Sequence, residues 1–127
     1  MKLYRIIFPV NDIDKASHFY ADIFEQPGRR VSTGRHYFDL EGTILAFYDP
    51  IADGDEIQQQ WAFHENQYIY IATDNLDSIH QKFLTSPEVK YVDKQVSKMP
   101  WGERLFYTND IFGNPICFVD RKTVFTG

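Results

Sequence analysis

From Leu3 to Val10 the chain is almost unbroken β-rich apolar sequence, and Asn11-Asp12 then supplies side-chain oxygens suited to capping the first turn of a helix. Apolar residues recur at helical spacing from Ile13 to Phe24, at Ile13, Ala16, Phe19, Tyr20, Ile23 and Phe24, while Asp14, Lys15, Ser17 and Asp22 fill the other side. The pattern predicts a strand, a cap and an amphipathic helix that Pro27-Gly28 ends. Strand-like segments follow at Arg30 to Ser32, His36 to Leu40 and Thr43 to Tyr48, with Glu41-Gly42 as the turn between the last two.

Asp49 to Gln67 breaks this regularity with Pro50, Gly54, several acids and the Gln58-Gln59-Gln60 run, and reads as a linker in which Trp61 and Phe63 are apolar enough to pack. The pattern then restarts. Tyr68 to Thr73 predicts a strand, Asp74-Asn75 a cap, and Leu76 to Leu84 a helix stopped by Ser86-Pro87. Val89 to Val96, Arg104 to Thr108 and Ile116 to Asp120 complete three more strands, the last hairpin turning through Gly113-Asn114. Asp12-Ile13-Asp14 superposes on Asn75-Leu76-Asp77, and Arg5 on Tyr68, at a shift of 63; Gly34 and Phe38 fall on Gly102 and Phe106 at 68, and Ala46 to Asp49 on Cys117 to Asp120 at 71. Two βαβββ units are too few for a solenoid, which needs at least about three repeats, so they are expected to pair around one shared core. The fold class is α+β: a single domain of two modules, about 1–50 and 67–121 with a linker at 51–66, whose curved antiparallel or mixed sheets form a cleft.

A length of 127 residues with 43% hydrophobic content suits one packed domain. The net charge of −5 argues against non-specific nucleic-acid binding, and no apolar run approaches the roughly 20 residues of a membrane helix. The single cysteine, Cys117, excludes an intramolecular disulfide and points to a reducing, cytoplasmic setting. Aromatic residues make up 17% of the chain, more than a small core requires, and strands and ligand pockets both use them.

The paired layout, the helix opening Asn11-Asp12-Ile13-Asp14 with His18-Phe19-Tyr20, its echo Asp74-Asn75-Leu76-Asp77, and Trp101-Gly102-Glu103-Arg104 leading to Asp110-Ile111-Phe112-Gly113-Asn114 resemble the vicinal oxygen chelate superfamily. That superfamily includes glyoxalase I, extradiol dioxygenases, fosfomycin-resistance enzymes and the metal-free bleomycin-resistance proteins. Ile111 stands where it usually has proline. The resemblance implies a cleft completed by a homodimer, and metal ligands at four matching positions, which here are Arg5, Ala46, Tyr68 and Cys117. The usual His and Glu are missing from all four. Alanine has no donor and arginine stays protonated, so the expectation is no metal and no cofactor.

Arg5 is either an anchor for an anion or carbonyl oxygen in the cleft or half of an ion pair with Asp39 or Asp120. Tyr68 and Tyr70 share one strand face by period two, as do Ala46 and Tyr48, so up to three phenols line the cavity or lie as ordinary strand tyrosines. His36 is the candidate general base, weighed against a satisfied sheet histidine, and His64-Glu65 is a candidate metal pair that would approach it. His18 and His80 are expected to pack. Cys117 reads as a small apolar group rather than a nucleophile. Trp101 is a lid, a dimer contact or the cover of a sheet edge, and Glu103-Arg104 either orients a ligand or forms a surface charge pair. Asp49, Asp53, Asp55 and Glu56 lack the spacing of a calcium loop and read as solvated linker.

These readings converge on a metal-independent protein that holds a small organic molecule in an aromatic cleft, with Arg5, Tyr48, Tyr68, Tyr70, Trp101, Arg104 and Cys117 as ligand-binding residues. The alternative is a lyase, isomerase or dioxygenase of the same superfamily, either metal-dependent through unusual ligands or metal-free with His36 as base.

Overall fold

The computed structural model describes residues 1–56 and 66–126, so the expectations for Trp61, Phe63, His64 and Glu65 lie outside the described residues. The chain divides into two compact units, Met1–Phe63 and His64–Gly127. In the first, β1 (Arg5–Pro9), α1 (Ile13–Phe24), β2 (Arg29–Ser32), β3 (Arg35–Leu40) and β4 (Thr43–Tyr48) build a sheet of order β1-β4-β3-β2. The second repeats this with β5 (Ile69–Thr73), α2 (Leu76–Thr85), β6 (Ser97–Lys98), β7 (Arg104–Asn109) and β8 (Pro115–Asp120), in the order β5-β8-β7-β6. In both, the outer first strand runs parallel to the last and the remaining pairs are antiparallel, which is the mixed α+β architecture expected. No helix among the described residues is long and apolar enough to cross a membrane.

Each sheet has one face under its helix. In the first unit Tyr20 stacks on Phe47 at 4.2 Å and Phe24 meets Phe38 edge-on at 5.3 Å. Phe38 and Phe47 are fully buried, and each such burial stabilises the unit by roughly 2–3 kcal/mol. In the second unit Phe83 of α2 packs on Phe106 and Phe118 at 6.1 and 5.4 Å. The helix starts differ. Asp12 caps α1, its Oδ1 accepting from the Lys15 amide at 3.0 Å, whereas the Asn75 side chain makes no such bond on α2 and its own amide donates to Thr73 Oγ1 instead.

The strand expected over Val89 to Val96 does not form. That segment touches β7 through an isolated bridge, Val92 to Thr108, and the regular ladder begins only at Ser97. The reason lies in Asp93, whose carboxylate takes the Tyr107 amide at 2.9 Å and so removes a donor that ladder pairing would use. A second correction concerns the repeat. In the ladders Tyr37 opposes Ala46 and Tyr107 opposes Cys117, so the third strands match at a shift of 70 rather than 68, and His36, not Phe38, occupies the place of Phe106. The shifts of 63 and 71 hold, because Ile7 pairs with Ala46 as Tyr70 pairs with Cys117.

The acids after β4 form a pinned turn. Asp49 Oδ1 accepts the Ile51 amide, and Asp53 accepts from Ser32 Oγ and from the Gly34 amide at 2.6 Å. Gly34 is required by close approach, since a Cβ there would lie 2.2 Å from the Asp49 carbonyl oxygen.

Candidate functional site

Residues directly opposite in a ladder share a sheet face, and alternation along each strand assigns the rest. With Phe8, Phe38 and Phe47 under α1, the helix-free face of the first sheet carries Arg5, Ile7, Pro9, Ile44, Ala46, Tyr48, Arg35, Tyr37 and Asp39. Two guanidinium groups here are set against phenols. Arg5 Nη1 donates to Tyr37 Oη at 3.1 Å, and its guanidinium carbon lies 5.4 Å from the Tyr37 ring centroid and 5.6 Å from that of Tyr4. Arg35 lies 4.2 Å over the Tyr48 ring and pairs with Asp53 at 3.4 Å. Tyr48 donates to Asp55, whose carboxylate, with some burial, raises the phenol above its ordinary range. Among the described residues, then, Arg35 has a carboxylate partner while the partners of Arg5 are phenols. Asp39, one of the acids proposed to neutralise Arg5, accepts the Gly42 amide.

On the helix-free face of the second sheet Tyr70, Cys117 and Tyr107 form one cross-strand row. Tyr70 and Tyr107 share a hydroxyl hydrogen bond of 2.9 Å, and Tyr68 meets the Tyr107 ring edge-on. Beside this row Leu105, Cys117 and Val119 form a small core covered by Met99, Tyr107 and Val124, the last just after the short 3-10 helix Arg121–Thr123. Cys117 is fully buried there. Burial, then the charges of Glu103 and Asp93, push its thiol up to about 12, which suits an inert packing group.

The structure therefore brings Arg5 and Tyr48 onto one face of the first unit and Tyr68, Tyr70 and Cys117 onto the equivalent face of the second. His36 is placed elsewhere. It opposes Phe47 on the helix side, where Nε2 donates to the Pro27 carbonyl at 2.9 Å and Nδ1 accepts from Arg30 Nε at 3.3 Å. Both ring nitrogens are committed to the fold. Arg104 also lies on the helix side, clamping Asp77 at the start of α2 at 2.7 Å and Asp120 at 3.4 Å. Trp101, in the turn before β7, is 63% exposed and donates to Glu103 at 2.7 Å. His80 is buried and donates to the Asp93 carbonyl.

Tyr37 and Tyr107 were not anticipated. They occupy equivalent places, and a shift of 70 in place of 68 aligns one tyrosine with the other, so the signal lay in the repeat itself.

A profile of the glyoxalase-like domain matches residues 3–119. The chain belongs to the glyoxalase-like domain family, within the vicinal oxygen chelate superfamily. Among solved structures, a glyoxalase/bleomycin resistance protein from Albidiferax ferrireducens is similar at 18% identity and TM-score 0.74, with 92% of this chain and 96% of that one covered. A lactoylglutathione lyase from Agrobacterium tumefaciens is similar at 21% identity and TM-score 0.67, covering 95% and 94%. A glyoxalase/bleomycin resistance protein/dioxygenase superfamily member from Sphaerobacter thermophilus is similar at 22% identity and TM-score 0.66, covering 94% and 97%. At these identities the likeness speaks for the glyoxalase-like fold alone. Among curated proteins none matches the sequence significantly.

In the metal-dependent members that this glyoxalase-like domain resembles, a divalent ion is held at the positions of Arg5, Ala46, Tyr68 and Cys117. These residues do not fit one. Arg5 brings a fixed positive charge, Ala46 has no donor atom, and the Cys117 thiol is buried and held protonated. Among the described residues no group of three or more His, Cys, Asp or Glu side chains is placed to hold an ion.

Proposed function

We propose that this glyoxalase-like domain is a metal-independent small-molecule binding protein whose ligand is anchored on Arg5 through an anionic group. The observation that carries this reading is the setting of Arg5. A guanidinium offers five N–H donors in a planar fork suited to carboxylate or phosphate; here one is given to Tyr37 Oη, and two phenol rings orient the group without cancelling its charge. Ile7, which is 39% exposed, continues the same face along the strand direction, an apolar floor for the body of the ligand. On this reading the protein works in the cytoplasm as a homodimer, the assembly usual in the superfamily it resembles.

Native mass spectrometry of untagged protein, purified without chelator, tests the proposal. The expected spectrum is a dimer with no stoichiometric transition metal, and with any retained acidic organic adduct lost from Arg5→Gln. A stoichiometric transition metal that disappears with Tyr68→Phe would overturn it.

A further inference from the structure

Of the six arginines, four pair with carboxylates: Arg30 with Asp14, Arg35 with Asp53, Arg104 with Asp77 and Arg121 with Asp74. Among the described residues Arg5 and Arg29 have no carboxylate partner, and both flank Tyr37. Arg5 reaches the Tyr37 hydroxyl from β1 at 3.1 Å, and Arg29 opposes Tyr37 directly in the ladder of β2 with β3. Directly opposed residues share a face with Cβ atoms about 4.5–5.5 Å apart, so Arg29 leaves the sheet on the helix-free side. Its neighbour Arg30 opposes His36 and leaves on the other side, where it holds Asp14 of α1. Resting on the Arg5 anchor, we propose that Arg29 is its second half: the anionic group of the ligand is a phosphate monoester, held between the Arg5 and Arg29 guanidinium groups beside the Tyr37 hydroxyl.

A carboxylate has two oxygens and one charge, which a single guanidinium fork satisfies. A phosphate monoester carries close to two negative charges at neutral pH and three terminal oxygens, matching two forks and a phenol. Tyr37 accepts from Arg5, so its own hydroxyl proton can be given to a phosphate oxygen. Arg35, two residues along β3 on the same face, adds to the positive field; hydrogen bonding with Tyr37, ahead of the opposing cost of burial, raises its guanidinium above the ordinary range. Asp39, the one acid among the ladder residues of this face, opposes Ile44 and gives Oδ1 to the Gly42 amide. Arg29 itself is exposed on the edge strand, so replacing it leaves the packing of the unit untouched.

The probes are 2-naphthyl phosphate, 2-naphthoate and the neutral 2-naphthamide, each titrated calorimetrically into the intact protein. At about pH 7.5 the phosphate is expected to bind wild type at least about tenfold more tightly than the carboxylate. That advantage should shrink at about pH 5, below the second pKa of the monoester at about 6. Arg29→Gln should bring the phosphate down to the affinity of naphthoate while leaving the preference for naphthoate over its amide, and Arg5→Gln should weaken both anions. A phosphate no tighter than naphthoate, an advantage that survives Arg29→Gln, or one that does not shrink in acid would each overturn the role of Arg29, and the Arg5 anchor would still stand if naphthoate keeps its Arg5-dependent preference over the amide. Absence of that naphthoate preference from wild type would overturn the Arg5 anchor and this inference with it.

Discussion

In the first unit Ile7 and Ala46 occupy the ladder places that Tyr70 and Cys117 hold in the second, Arg5 matches Tyr68, just before β5, at the same shift of 63, and Tyr37 and Tyr107 stand in matching positions. The helix-side faces keep one chemistry, phenylalanine rings packed under an amphipathic helix. The helix-free faces diverge: guanidinium groups on phenols in one, phenols beside a carboxylate in the other. A sheet buried on its helix side is constrained there by packing, so the opposite face can change charge without cost to the ladder. Even the shared helix-to-strand clamp is assembled differently, since Asp14 is held by Arg30 of β2 and its equivalent Asp77 by Arg104 of β7.

The largest test of the common half is core truncation. Phe47→Ala and Phe118→Ala should each cost about 3–5 kcal/mol in chemical denaturation, because both remove a fully buried ring between sheet and helix. A strong inequality would break the equivalence of the two cores. Next comes the helix start, where the units should differ. Asp12→Ala removes a capping bond and should cost about 1 kcal/mol, while Asn75→Ala should cost only a few tenths, as no cap bond is lost.

Smaller effects should appear at opposite ends of the pH scale. Burial raises the Cys117 thiol from its ordinary 9.0 to about 12 in the folded chain, so its contribution to stability is complete below pH 9 and is lost as pH rises through that window. Melting temperatures of Cys117→Ala should therefore fall less steeply than wild type above pH 9. Arg30, by hydrogen bond and then by charge, lowers the Asp14 carboxyl below its ordinary 3.8, so that contribution is present above this value and lost as pH falls through the folded one. Asp14→Asn should flatten the acid limb slightly, and added salt should shrink the difference.

Much of this was legible in the sequence. The helix Ile13–Phe24 and the strand Thr43–Tyr48 follow their patterns because capping, apolar period and turn residues agree there. The segment from Val89 was misread because alternation alone does not reveal that the Asp93 side chain competes with the ladder for the Tyr107 amide. Which face of a strand a residue occupies was readable for Arg5 and Tyr70, whose alternation is clean. It was less so for His36 and Arg104, whose helix-side placement depends on register and on the distant partners Pro27 and Asp77. The cover that Val124 places over Cys117 comes from the C-terminal segment, and no local pattern announces it.

The most direct test of the Arg5 site is calorimetric titration of wild type and Arg5→Gln with 2-naphthoate and its neutral amide. A hydrogen-bonded charge pair is worth roughly 1.5–3 kcal/mol, so wild type should prefer the acid over the amide by about 10- to 150-fold, and Arg5→Gln should bind the two nearly equally. Equal affinity of wild type for acid and amide, or an acid preference that survives Arg5→Gln, would contradict an anion anchor at Arg5.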